Sequence, residues 1–129
     1  MSDNTHFNLD RLAARHAQAI IKATMDKRAS DVNNTITKAL GVLQENGVYA
    51  CFLHLLAKEK EIGPIVIQEM LNLLDELGFG WGKPKNNSPE SVLAHISEKV
   101  TVDLERLLLA KETLEQMLIY ALYGAKARD

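Results

Sequence analysis

The chain has one cysteine in 129 residues, so no internal disulfide can form and no disulfide framework holds the fold. Cys51 can act only as a thiol, and such sparse cysteine usage fits a reducing cytosol. Aromatic residues make up 5% of the chain. Leu, Ala, Glu and Lys prevail where strands would want Val, Ile and Thr, which predicts an all-α protein. No apolar run approaches the ~20 residues of a membrane span, and the polar opening MSDNTHFNLD lacks the apolar stretch of a secretory signal. A cytoplasmic protein without membrane contact is therefore expected. Neither sign of charge dominates: the net charge is −2, with six Lys/Arg against four Asp/Glu in residues 1–40 and nine against thirteen in residues 41–129. With 47% apolar and 25% charged residues, a chain of this length can bury a core as one domain spanning residues 1–129.

Apolar periodicity divides the chain into about six helices. Leu9, Leu12, Ala13, His16, Ala17, Ile20, Ile21 and Thr24 recur at three- and four-residue steps, predicting a first helix over about 8–28. Ser30 then offers an N-cap to a second helix through Val32, Ile36, Ala39, Leu40 and Leu43. Gly47 is placed to end that helix in the left-handed conformation. A third helix from Val48 to about Ile62 carries Val48, Phe52, Leu55 and Leu56 on one face and Tyr49, Cys51 and Leu53 on others, which predicts a central position. Pro64 suits the first turn of a fourth helix with Val66, Met70, Leu73, Leu74 and Leu77 inward, closed by Gly78. Residues 78–88, GFGWGKPKNNS, have no apolar period and read as a mobile loop. Ser88-Pro89-Glu90 opens a short fifth helix with Val92, Leu93 and Ile96 inward. The last helix, about 101–125, is expected to bury Leu104, Leu107, Leu108, Leu114, Met117, Leu118 and Ala121. No internal repeat is evident.

Catalytic and metal-binding groupings are hard to find. Cys51 and His54 share a helical face, the nearest approach to a nucleophile and base, but a small core thiol beside an amphipathic histidine explains both. His6, His16 and His95 stand on separate segments, without zinc spacing. GFGWGKPK invites comparison with a phosphate-binding loop, yet Pro84 follows Lys83 where a magnesium-binding hydroxyl would be needed, and no strand precedes it. Asp75/Glu76 and Glu112/Glu115 read as solvated charge on exposed helix faces. No enzyme activity and no cofactor are expected.

The surface is more informative. Arg11, Arg15, Gln18 and Lys22 follow steps of four, three and four, forming a basic ridge opposite the first apolar stripe. Such a ridge either solvates the helix or contacts phosphates. In the loop, Phe79 and Trp81 stand beside Lys83 and Lys85, a mixture able to stack on an unpaired base and neutralise phosphates, although Trp81 could equally hold the loop in a groove between helices. Tyr49, Leu53, Leu109, Ile119 and Tyr123 lie outside the narrowest core stripes, an apolar excess that contact with another chain would explain.

The stretch ALGVLQENGVYACFLHLLAKEK, residues 39–60, resembles the central motif of the small helical (fifth, gamma-type) subunit of type III-B CRISPR RNA-silencing (Cmr) effector complexes. Leu40, Leu43, Gln44, Asn46, Gly47, Val48, Ala50, Phe52 and Leu53 fall at matching positions, and an N-terminal amphipathic helix and the terminal IYALYGAKAR extend the likeness. The same stretch is what favours type III-B over the related type III-A subunit. The resemblance implies a non-catalytic subunit that stacks with copies of itself beside the helical backbone subunit. Its basic ridge would face the guide RNA/target RNA duplex through sequence-independent phosphate contacts. Arg11, Arg15, Lys22, Lys83 and Lys85 are the RNA-binding candidates. The competing reading is a helical protein–protein adapter or homo-oligomeric regulator without RNA, and an enzyme acting through Cys51 and His54 is a distant third.

Overall fold

A computed structural model describes residues 8–128, all helix and connecting turns without a strand among the described residues. His6 lies outside them. Helix α1 spans Leu9–Ala23, α2 Ala29–Asn46, α3 Val48–Lys58, α4 Gly63–Asp75, α5 Pro89–His95 and α6 Leu104–Ala127; a π turn, Ile96–Val100, continues α5.

Local chemistry sets the boundaries. Asn8 Oδ1 accepts from the Arg11 amide at 3.0 Å, Ser88 Oγ from Ser91 at 3.2 Å and Asp103 Oδ1 from Arg106 at 3.1 Å, so α1, α5 and α6 each begin on a side-chain cap that satisfies an otherwise orphaned N–H. The first helix stops at Ala23 instead of running to Arg28: the Thr24 hydroxyl turns back onto the Ile20 carbonyl at 2.8 Å, and a tight turn follows. Ser30 is not the cap expected of it. Helix α2 starts two residues earlier, at Ala29 behind Arg28, with no side-chain cap. The third helix is shorter than its apolar pattern suggests, because Glu59 leaves the helical region and accepts from Thr35 Oγ1 of α2 at 2.9 Å.

Gly47 does end α2, but not in the left-handed helical region. Its φ of 98° and ψ of −175° lie where only glycine is comfortable, and this one residue turns the chain from α2 directly into α3.

Helices α6, α1, α4, α3 and α2 pack in that cyclic order into a closed ring, and α5 with the π turn lies against α3 and α6. Helix α3 contacts α2, α4, α5, α6 and the π turn, and α6 touches as many elements; the two most extensive seams run along α6, against α1 and α2. Arg128, just past α6, donates to the carbonyls of Thr24, Met25 and Lys27 in the α1–α2 turn, so α6 runs parallel to α1 and antiparallel to α2. The core between the helices includes Ile20, Ile36, Leu43, Phe52, Leu55, Met70, Leu74, Ile96, Leu114 and Met117. Leu104 and Leu108 were expected inside and are exposed at 67% and 55%, since the first two turns of α6 project past the end of α2. Leu107 is half-buried.

Candidate functional site

The basic ridge exists as a geometric feature: Arg11, Arg15, Gln18 and Lys22 are all exposed on one side of α1. Its charge is less free than the sequence implies. Arg15 is ion-paired with Glu76, the residue that caps the end of α4, and Arg11, Arg15 and Glu76 line one shallow concavity between these helices. Glu76 is therefore part of the α1–α4 contact and not idle surface charge.

The same contact gives His16 a setting that its position in the apolar stripe conceals. The ring is buried, with Nδ1 2.8 Å from Glu69 Oε1 and Nε2 3.3 Å from Glu76 Oε1. Glu69 Oε2 accepts from Asn72 at 3.3 Å, Asn72 accepts from Gln68 at 3.0 Å, and Gln68 accepts from Asn87 at 2.7 Å. A polar chain thus runs from α1 across α4 to the segment before α5. The sequence signal was a histidine inside a buried stripe, which demands a partner. The partner itself is set by how α4 lies across α1, which the sequence does not show.

In the 78–88 loop, Trp81 is only 8% exposed and is part of the core. Phe79 packs against it with ring centroids 5.0 Å apart, and the Arg106 guanidinium sits 5.0 Å over the Phe79 ring. Neither face of Trp81 is free to stack on a base, which corrects that part of the RNA-facing reading. Lys83 and Lys85 remain exposed.

Cys51 and His54 have different partners. The Cys51 thiol donates to the Ala39 carbonyl of α2 at 3.4 Å, and burial pushes its pKa up to about 12, so a thiolate is absent at neutral pH. His54 Nε2 lies 3.6 Å from Glu59 Oε2. No hydrogen bond joins His54 to the Cys51 thiol, whose partner is Ala39. Among the described residues, no group of three or more His, Cys, Asp or Glu is placed to hold a metal ion, and no helix is long and apolar enough to cross a membrane.

Two apolar surface features stand out. On α3, Tyr49 and Leu53 are exposed at 40% and 45%, although Val48, Cys51, Phe52 and Leu55 of the same helix are buried in the core. Between α1 and α6 runs an open groove of about 630 Å³, floored by Ala14, Ala17 and Gly124 and walled by Ile21 and Tyr120. The Tyr120 hydroxyl donates to Asp10 at one end of this groove, an interaction that raises the phenol above its ordinary pKa. Lys22 and Met25 mark the other end. Leu109 and Ile119, counted with the apolar excess, are half-buried, whereas Tyr123 is exposed.

Compared with protein-family models, curated proteins and solved structures, the chain finds no match.

Proposed function

We propose that the chain is a non-catalytic structural subunit of a type III-B CRISPR ribonucleoprotein effector, stacking into its minor filament and lining the guide/target RNA channel in antiviral defence. The observation that carries this reading lies in the stretch whose sequence resembles the family's small subunit. A motif that served only the fold would bury its apolar residues, yet Leu53, one of the matching positions, is exposed beside Tyr49. The motif therefore pairs a structural device, the Gly47 junction, with an apolar face available to a neighbouring subunit. The neighbour is the helical backbone subunit or a further copy of the chain. Arg11, Lys22, Lys83 and Lys85 supply exposed cations for phosphate contact, and Arg15 joins them only when its ion pair with Glu76 opens.

Affinity capture of the tagged protein from its native host, with partners identified and bound RNA sequenced, tests the reading. Repeat-derived guide RNA together with several larger subunits is the expected result. Leu53→Asp should release those subunits while far-UV circular dichroism stays unchanged. Recovery of the protein with no RNA and no larger subunits overturns it. The pairing of Arg15 and the burial of Trp81 favour the second reading, a helical adapter without RNA; retention of unrelated protein partners and no nucleic acid at low salt would establish that instead.

A further inference from the structure

From the α1–α6 groove we infer that the free protein forms a closed two-fold dimer, with the α1–α6 faces of two copies packed against each other and their α1 helices antiparallel. The argument rests on the order of charges along the groove. Asp10 stands at one end and Lys22 at the other, twelve residues apart on α1, or about 18 Å at 1.5 Å per residue. A helix laid antiparallel along this groove is complementary when it carries the same two charges at the same spacing, and α1 of a second copy does. A two-fold axis across the middle of α1 brings each Asp10 to the partner's Lys22 and each Lys22 to the partner's Asp10, whereas a parallel arrangement sets like charges together.

The residues near the axis fit. Ala14 and Ala17 face the groove midway between the two charges and let the helices approach closely, and Gly124 continues the low floor onto α6. At Gly124 the two groove helices already touch, since a Cβ there would stand 2.9 Å from Ile21 Cγ1. Met25, 60% exposed in the single chain, gains cover at the edge of the contact. Asp10 keeps acceptor capacity for the partner's ammonium while it accepts from Tyr120.

This contact closes on itself and so differs from head-to-tail stacking. It also covers Lys22 and leaves Arg11 clear, so it is a form of the free protein and competes with any phosphate contact made through Lys22. It stands or falls independently of the RNA reading, because only α1 and α6 enter into it.

Sedimentation equilibrium of the full chain over the micromolar range tests it. A monomer–dimer equilibrium without larger species is expected. Lys22→Glu and Asp10→Lys should each weaken the dimer by about tenfold or more, because symmetry breaks two ion pairs at once, and the double variant should recover to within about threefold of the original. Ala14→Arg should abolish the dimer with helicity intact. A monomer at every concentration, an open series of larger species, a dimer indifferent to Lys22→Glu, or a double variant that does not recover would each overturn the proposal.

Discussion

Gly63 opens α4 at the point where the chain has just turned back on α3. A Cβ there would lie 2.9 Å from the Leu55 carbonyl oxygen and 3.0 Å from Glu59 Cβ, neither of which can move without dragging the end of α3. Gly63→Ala should cost about 1–3 kcal/mol in urea unfolding. Gly41→Ala provides the contrast, since a Cβ at this helical position meets nothing within 4 Å; it should stabilise by about 0.4–1 kcal/mol. Histidine 95 supplies a pH dependence. Burial holds its pKa below the ordinary value, reinforced by Lys99 and only partly offset by Asp75, Glu98 and the Gly82 backbone. Below about pH 6.5 the unfolded chain therefore takes up a proton that the folded chain refuses. Stability should fall with pH from there until His95 protonates in the folded state as well, and His95→Gln should flatten that part of a thermal-melt profile. At this scale the sequence was partly legible. The need for glycine at position 47 could be read from its place between two apolar patterns, but the need at Gly63 could not, because it arises from Leu55 and Glu59 folding back over it.

At the scale of the element, periodicity located every helix, while ends and faces depended on tertiary neighbours. Leu104 and Leu108 have the spacing of core residues and still face outward, because nothing in a local pattern says how far α6 outreaches α2. The loop after α4 shows the same division. Its composition announced a loop, and only packing decided that Trp81 turns inward with Phe79 and Arg106 above it. Trp81→Ala should cost roughly 3 kcal/mol in denaturant unfolding, as expected for loss of a buried indole. A base-stacking tryptophan would leave stability nearly unchanged. Arg128 tests the other end of the bundle, where its guanidinium gathers three carbonyls of the α1–α2 turn. Arg128→Ala should lower stability by about 1–2 kcal/mol in the same assay. Arg128→Lys should recover only part of this, because an ammonium lacks the fork that reaches separate acceptors.

The whole molecule is a closed ring in which each of the five principal helices packs on both of its neighbours. Such closure predicts a single cooperative transition. Trp81, the only tryptophan, reports on the loop beside α6, while far-UV ellipticity reports on all the helices. Their thermal unfolding curves should coincide; a separate, earlier fluorescence transition would mean that the loop and α5 detach from the ring. Fold class was the most legible property at this scale, since it follows from composition and period. The candidate surface was less so: the ridge was visible in the spacing of Arg11, Arg15 and Lys22, but Glu76, which offsets Arg15, comes from a helix more than fifty residues away.

The parallel seam between α1 and α6 also bears on how the protein is made. Of these two helices α1 leaves the ribosome earlier, and it finds this principal neighbour only when α6 follows, about a hundred residues later. Until then Leu12, Ala13, Ala17 and Ile20 have only α4 to cover them. The nascent chain thus carries a sticky amphipathic helix while the segments between α1 and α6 are made, and a chain released before α6 is complete leaves that helix exposed to aggregation and to chaperone capture.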